Sequence, residues 1–187
     1  MTRSTAVPPT LLALALLSSG CGYNTIQTMD ERVNQAKGQI ETQLQRRADL
    51  VPNLVETVKG IAKQESTIFI SIAESRARLS GAVQSGDVGQ MAQANAELTQ
   101  GLGRLLAIVE NYPELRSSEN FRALQDQLEG TENRISVARQ DYNAAVGEYN
   151  AYIRRFPYNL TAKIFSAGPR EYFEAAPGSE TAPKVKF

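Results

Sequence analysis

FRALQDQLEGTENRISVARQDYNAAVGEYNAYIRRF, residues 121–156, decides the fold. Apolar or small residues recur there at steps of three and four: Phe121, Leu124, Leu128, Thr131, Ile135, Ala138, Tyr142, Ala145, Tyr149, Tyr152 and Phe156. That is the period of a helix with one buried stripe, not the alternation of a strand. The mean step of 3.5 residues keeps a supercoiled seam against a partner, as in a coiled coil. Ser117 or Ser118 is placed to cap the start, and Pro157 ends the pattern. A helix over residues 118–156 would be about 58 Å long. Ile135, near its middle, is expected in the core, and its neighbour Arg134 outside it.

Working towards the N-terminus, Asn111–Ser118 is a connection in which Pro113 suits the first turn of a short helix. Before it, Met91, Ala94, Leu98, Leu102, Leu105 and Ile108 have helical spacing. Asp87, with Gln90 three residues on, reads as a capping box at the end of a glycine-containing gap, Gly81–Gly89. Gly101 is either a tolerated surface glycine or, the favoured reading, a point of close helix approach. Earlier still, Val33, Ala36, Ile40 and Leu44 lead to Leu54, Val58 and Ile61, then to Ile68, Ile72 and Leu79. An unbroken helix over residues 26–80 would be about 82 Å long. It would leave much of its stripe unpaired, so a reversal is expected. The favoured site is Asp49–Pro52, because Pro52 lacks an N–H and clashes with the carbonyl four residues back. A continuous kinked helix is the second reading, and Gly60–Glu65 a third site for the turn. Residues 26–173 are thus read as one all-α, antiparallel up-and-down helical bundle with long, coiled-coil-like helices. Leu160, Ile164 and Phe165 share one side of a short helix over Tyr158–Phe165, Tyr172 and Phe173 fold back on the body, and residues 174–187 form a disordered tail.

The N-terminus carries an address. TLLALALL, residues 10–17, is too short to span a bilayer but fits the apolar region of a signal peptide. Ser18, Ser19 and Gly20 then precede Cys21, the single cysteine of the chain. Residues 1–20 are read as a lipoprotein-type signal peptide. Cys21 is read as the lipidation site, bearing an acyl anchor of the palmitate type, and residues 21–25 as a tether. Gly22 after the cysteine resembles the pattern of lipoproteins sent to the outer membrane where the host has two. Ser18, three before the cysteine, departs from the usual aliphatic residue.

Composition excludes several function classes. The 187 residues contain 20 Lys plus Arg and 20 Asp plus Glu. Removing residues 1–20 removes only Arg3, leaving 19 against 20 and a net charge of −1. There is no basic excess for nucleic acid. His and Trp are absent, so the commonest general base and transition-metal ligand are missing. No phosphate loop, dinucleotide fingerprint, nucleophile elbow or zinc-protease motif occurs. No cofactor and no resident metal are expected. Glu110, Glu114, Glu129, Glu132 and Arg134 leave one alternative, a carboxylate-based metal-binding protein or hydrolase.

QRRADLVPNLV, residues 45–55, is the most unusual stretch. Arg46, Arg47, Asp49 and Asn53 form either a salt-bridged helix junction or a partner-binding corner. Arg47 falls in a seam-like phase, which places its stem on the core and its head at the edge. Tyr142, Tyr149 and Tyr152, with Phe156, line one face of the last helix, as core or as an aromatic contact surface.

GYNTIQ (22–27), QLQRRADLVPNLVETVKG (43–60), the run from LLAIVENYPELRSS to VGEYN (105–150) and FPYNLTAKIF (156–165) together resemble the LemA family. The resemblance covers most of residues 21–173. Asp49, Pro52, Asn53, Tyr112, Pro113, Glu129, Glu132, Asn133, Arg139, Tyr142 and Asn143 match its characteristic text. It implies an extracytoplasmic helical bundle held to the membrane by an N-terminal helix or a lipid, with no catalytic residues to carry over. Arg46, Arg47, Asp49, Asn53, Tyr142, Asn143 and Tyr149 are therefore the candidate partner-binding residues. The expected protein is a non-enzymatic module of the cell envelope, anchored through Cys21 on the extracytoplasmic side and serving an envelope protein partner.

Overall fold

The computed structural model describes residues 9–60 and 66–174, with side chains of the first helix described from Gly22 onward. Among the described residues six helices follow in order: α1 Pro9–Lys59, α2 Ser66–Ser85, α3 Val88–Val109, α4 Pro113–Ser117, α5 Glu119–Arg154 and α6 Tyr158–Ile164. Among the described residues there is no strand. The first eight residues of the expected signal peptide, and the expected tail from residue 175, lie outside the described residues.

The chain does not reverse at Asp49–Pro52. α1 runs through Pro52 as one helix of 51 residues, about 76 Å long at the usual rise. Pro52 leaves the carbonyl of Ala48, four residues back, without its helical donor. Arg76 on α2 replaces it, its Nε donating to the Ala48 oxygen at 2.7 Å. A guanidinium from the neighbouring helix thus satisfies the one acceptor that proline orphans. The direction changes between Lys59 and Ser66 instead, around the third site read in the sequence. Residues 61–65 of that connection lie outside the described residues. α1 also starts before Ile26. Gly22–Thr25, expected as a tether, are helical, and Gly22 is buried.

Pairings across the helices fix their directions. Ala48 faces Arg76, while Gly86 at the end of α2 lies over Lys37, so α1 and α2 are antiparallel. Arg78 bonds Glu97 at 2.8 Å, and a Cβ on Gly101 would fall 3.2 Å from Ile72, so α2 and α3 are antiparallel. Gly101 is a close approach, as read. Arg47 pairs with Glu132, and Asp30 lies near Tyr149, so α5 runs back along α1. The α1–α5 contact is the most extensive in the molecule, and α2 packs on α1 as well as on α3.

Local chemistry sets most boundaries as expected. The Asp87 carboxylate accepts from the Gln90 amide at 2.9 Å and from its side chain at 2.9 Å, a capping box at the head of α3. Ser118 caps α5 by accepting from the Phe121 amide at 3.2 Å. Pro113 opens α4. Gly81, read as part of a gap, instead lies within α2, and the turn is confined to Gly86 and Asp87.

The core is the stripe of α1 (Ile26, Val33, Ile40, Leu44, Leu54 and Val58) against its counterparts on the other helices. Ile135 is 3% exposed and Arg134 is exposed, as read. Near the end of α5 the stripe departs from the expected series. Val146 and Ile153 are buried, Tyr152 is half-buried, and Phe156 is 80% exposed. A straight α-helix drifts about 20° per heptad from a 3.5-residue repeat. At Val146 and Ile153, well over three heptads beyond Phe121, that drift reaches about 70–90°, close to the roughly 100° between successive side chains.

The Pro52–Arg76 relation makes a sharp prediction. Arg76→Ala should lower stability to urea by about 1.5–3 kcal/mol, the range for a hydrogen bond from a charged group. In a Pro52→Ala background, residue 52 regains an N–H that can reach Ala48, and the same change should cost about 1 kcal/mol less. Equal costs in the two backgrounds would separate Arg76 from the proline.

Candidate functional site

The candidate residues divide into those turned into the bundle and those turned out. On α1, steps of three and four from Arg46 through Asp49 to Asn53 hold three exposed polar side chains on one face. Arg46 and Asp49, with Gln45, Leu50 and Val83 of α2, line a shallow depression between α1 and α2. Asp49 accepts from the Gln45 side chain at 2.9 Å.

Arg47 is one residue out of phase with that face and is only 4% exposed. Its guanidinium lies inside the bundle, not at the edge. One terminal nitrogen donates to Asn95 of α3 at 2.8 Å and also pairs with Glu132 of α5. Its buried Nε has no hydrogen-bond partner. Burial pulls the guanidinium below its usual pKa, while the charge and hydrogen bond of Glu132 oppose the shift. The group remains a cation, and three helices meet on it. Glu132, one of the carboxylates considered for chemistry, is thereby engaged in this junction.

Tyr142, Asn143 and Tyr149 belong to a second arrangement. The segment after α6 crosses α5 without regular structure, and side chains of α5 grip its backbone. The Asn143 amide donates to the Phe173 carbonyl at 3.1 Å and accepts from the Phe173 N–H at 2.8 Å. Asn150 does the same to Arg170, at 2.9 and 2.8 Å. The clamps are seven helical residues apart, about 10 Å, which is what three residues of extended chain span. Between them the Tyr142 hydroxyl donates to the Glu171 carbonyl at 2.8 Å. Arg170 then reaches α1, pairing with both Asp30 oxygens at 2.8 Å. Phe173 is buried beneath the strap and Tyr172 is half exposed. Asn150, Arg170 and Asp30 are missing from the residues singled out in the sequence. The repeated Tyr-Asn pair at 142–143 and 149–150 is the pattern that marks this site. Burial raises the Tyr142 phenol above its usual pKa, with Arg170 opposing and Glu171 assisting. Burial likewise raises Tyr149, assisted by Asp30 and opposed by Arg170.

Among the described residues, no group of three or more His, Cys, Asp or Glu side chains is arranged to hold a metal ion. No described helix is long and apolar enough to cross a membrane. Cys21 lies in α1, at the end where α6 packs. These features define a helical bundle whose interior polar groups serve packing and strapping. The chain belongs to the LemA family, whose model matches residues 36–187. It is an envelope-associated helical protein. It is also similar to magnetosome proteins MamQ 1 and MamQ 2 of Paramagnetospirillum magneticum. Each is 30% identical over 182 residues, covering 85% of this chain and 67% of the relative. The magnetosome protein MamQ of Magnetospirillum gryphiswaldense is 28% identical over the same coverage.

Two predictions test these arrangements. Glu132→Ala strands a buried guanidinium and should cost about 1–3 kcal/mol, towards the lower end because the Glu132 side chain is 48% exposed. Arg47→Met keeps volume and removes the charge, so it should cost less than Glu132→Ala in the same urea titration. The reverse order would show that the cation itself holds the junction together.

The tyrosines give a pH dependence. Their folded pKa values lie above the ordinary 10.0, so the fold favours the neutral phenol. That contribution is complete below about pH 10 and is lost as pH rises from there through the folded values. Tyr142→Phe should be about 1 kcal/mol less stable than the parent near pH 8, having lost its bond to Glu171. The gap should narrow by about pH 11, because Phe has no proton to lose. A gap that stays constant would show that Tyr142 ionises without strain.

Proposed function

We propose that this chain is a lipid-anchored binding module that presents a polar face of α1 to a protein partner in the envelope. The observation that carries the reading is the division of the candidate residues. Arg47, Tyr142 and Asn143 are engaged inside the bundle, whereas Arg46, Asp49 and Asn53 form an exposed stripe beside the α1–α2 depression. Such a stripe on a rigid helix is pre-organised for recognition at low ordering cost. Tyr149 serves this reading by stiffening the strapped end. The α1–α5 pair is taken as the coiled-coil-like element of the module. Its seam steps by three and four over much of its length before drifting at the end of α5.

The anchor is the lipid on Cys21, on the extracytoplasmic side and at the outer membrane in a host with two. The single cysteine after SSG supports it, and two or three acyl chains make such attachment durable. Asp49 lies 28 residues beyond Cys21, about 42 Å along α1, so the stripe would stand clear of the lipid headgroups.

Intact-mass measurement of the protein from its native envelope should show loss of residues 1–20 and added acyl mass on Cys21. A chain with a free thiol at this position would end the lipid reading. A photo-crosslinker at Arg46 or Asn53 should give a discrete protein adduct in the envelope, whereas one at exposed Arg134 should not. Equal labelling from all three positions would remove the stripe as the binding face.

A further inference from the structure

The end of the bundle that carries Cys21 has an unusual surface. α6 packs across α1 there, with its Thr161 and Ala162 side buried. A Cβ on Gly22 would lie 2.8 Å from the Tyr158 ring, so glycine lets the two helices meet. Tyr23 packs against Phe165 with ring centroids 4.3 Å apart, and Tyr152 stacks on Tyr158 at 4.3 Å. This aromatic layer fixes α6 in place. The outer side of α6 is apolar and bare. Leu160 and Ile164, one turn apart, are 53% and 75% exposed, and Phe156 just before the helix is 80% exposed. Phe165 is 54% exposed. Four of the seven exposed large hydrophobic residues found among the described residues therefore lie at this one end.

Charge separates this patch from an ordinary interface between folded proteins. From Tyr149 to Arg170 the sequence contains Arg154, Arg155, Lys163 and Arg170 and no carboxylate. Residues 1–29 contain none either. Glu148 and Glu171 bound the first segment, and Asp30, the nearest carboxylate on α1, is held by Arg170. Arg154, Arg155 and Lys163 are exposed. An apolar row flanked by exposed cations and free of acids complements the boundary between acyl chains and anionic headgroups. Cys21 and the apolar run of residues 10–17 lie at this same end of α1, so an anchor at Cys21 would bring a bilayer to it.

We infer that α6 is a membrane-contacting element. Phe156, Leu160 and Ile164 enter the interfacial layer of an anionic bilayer, and Arg154, Arg155 and Lys163 lie at its headgroups. The inference deepens the anchored-module reading and rests on it for the nearness of the bilayer. A single lipid point would let the bundle swivel; a second contact through α6 would set its tilt.

The chain lacks tryptophan, so Phe156→Trp and Ile164→Trp each install a unique fluorophore. The full lipidated chain is reconstituted into vesicles of phosphatidylethanolamine and phosphatidylglycerol, with or without bromine near the top of the acyl chains. Both variants should show blue-shifted emission that bromine quenches roughly twofold or more, as expected for burial about 5–10 Å into the interface. Val137→Trp, midway along α5 and 57% exposed in the parent, should show neither effect. Protein that floats with the vesicles while both α6 reporters stay unquenched overturns the inference and leaves the anchor standing. Blue-shifted but unquenched emission that grows with protein concentration identifies a second copy as the occupant, and also overturns it. With Cys21→Ser added, quenching that persists on anionic vesicles supports α6 binding without the lipid. A fully lipidated chain that does not float overturns both readings.

Discussion

The hydrogen bond from Arg76 to the carbonyl of Ala48 is the interaction on which the rest of the architecture depends. Pro52 removes one rung from the longest helix of the protein, and a buried carbonyl left without a donor would favour a break at that point. The donor comes from α2, so the helix can continue only when its neighbour is in register. One residue earlier, Arg47 reaches α3 and α5 from the other side of the same turn. Two adjacent positions of α1 thus fix its contacts with three other helices. Neither is a simple apolar contact, which makes the alignment specific in a way that a greasy stripe alone is not.

With α1 continuous, the other features take their positions from it. α5 runs back along it, α6 crosses the end that carries Cys21, and the segment after α6 returns to bond Asp30 through Arg170. The polar side chains of α5 that face this segment bind its backbone. The geometry accordingly separates two outward surfaces. One is the apolar, acid-free end formed by α6. The other is the polar stripe from Arg46 to Asn53, about 40 Å along the same helix. A rigid α1 holds these surfaces at a fixed distance, which suits the proposed module, with lipid contact at one end and a binding face away from it.

Much of this is legible in the residues. The seam of α5 from Phe121 to Tyr142, the caps at Asp87 and Ser118, and the close approach at Gly101 each follow from local chemistry that no distant contact overrides. Pro52 is different. Its cost is local, but its compensation comes from Arg76, and no periodicity reveals which arginine will point at which carbonyl. The end of α5 misleads for a related reason. A strict heptad assumes a 3.5-residue repeat, and the buried line drifts from it along α5, so Val146 and Ile153 are buried where Ala145, Tyr152 and Phe156 were expected. The strap is half legible. The doubled Tyr-Asn pair declares a seven-residue repeat of hydrogen-bonding groups on one face, but the backbone that they hold arrives from a segment with no periodicity of its own.

The continuity of α1 is open to direct measurement in the full chain. Spin labels at exposed positions Gln39 and Glu56, with Cys21→Ser to leave only the two introduced thiols, straddle Pro52 on one helix. Seventeen residues of unbroken helix separate their backbones by about 26 Å, and pulsed dipolar spectroscopy should return a single narrow distribution near that value after allowance for the labels. A distribution centred below about 15 Å, as a hairpin at Asp49–Pro52 would give at the same rise per residue, would contradict the account.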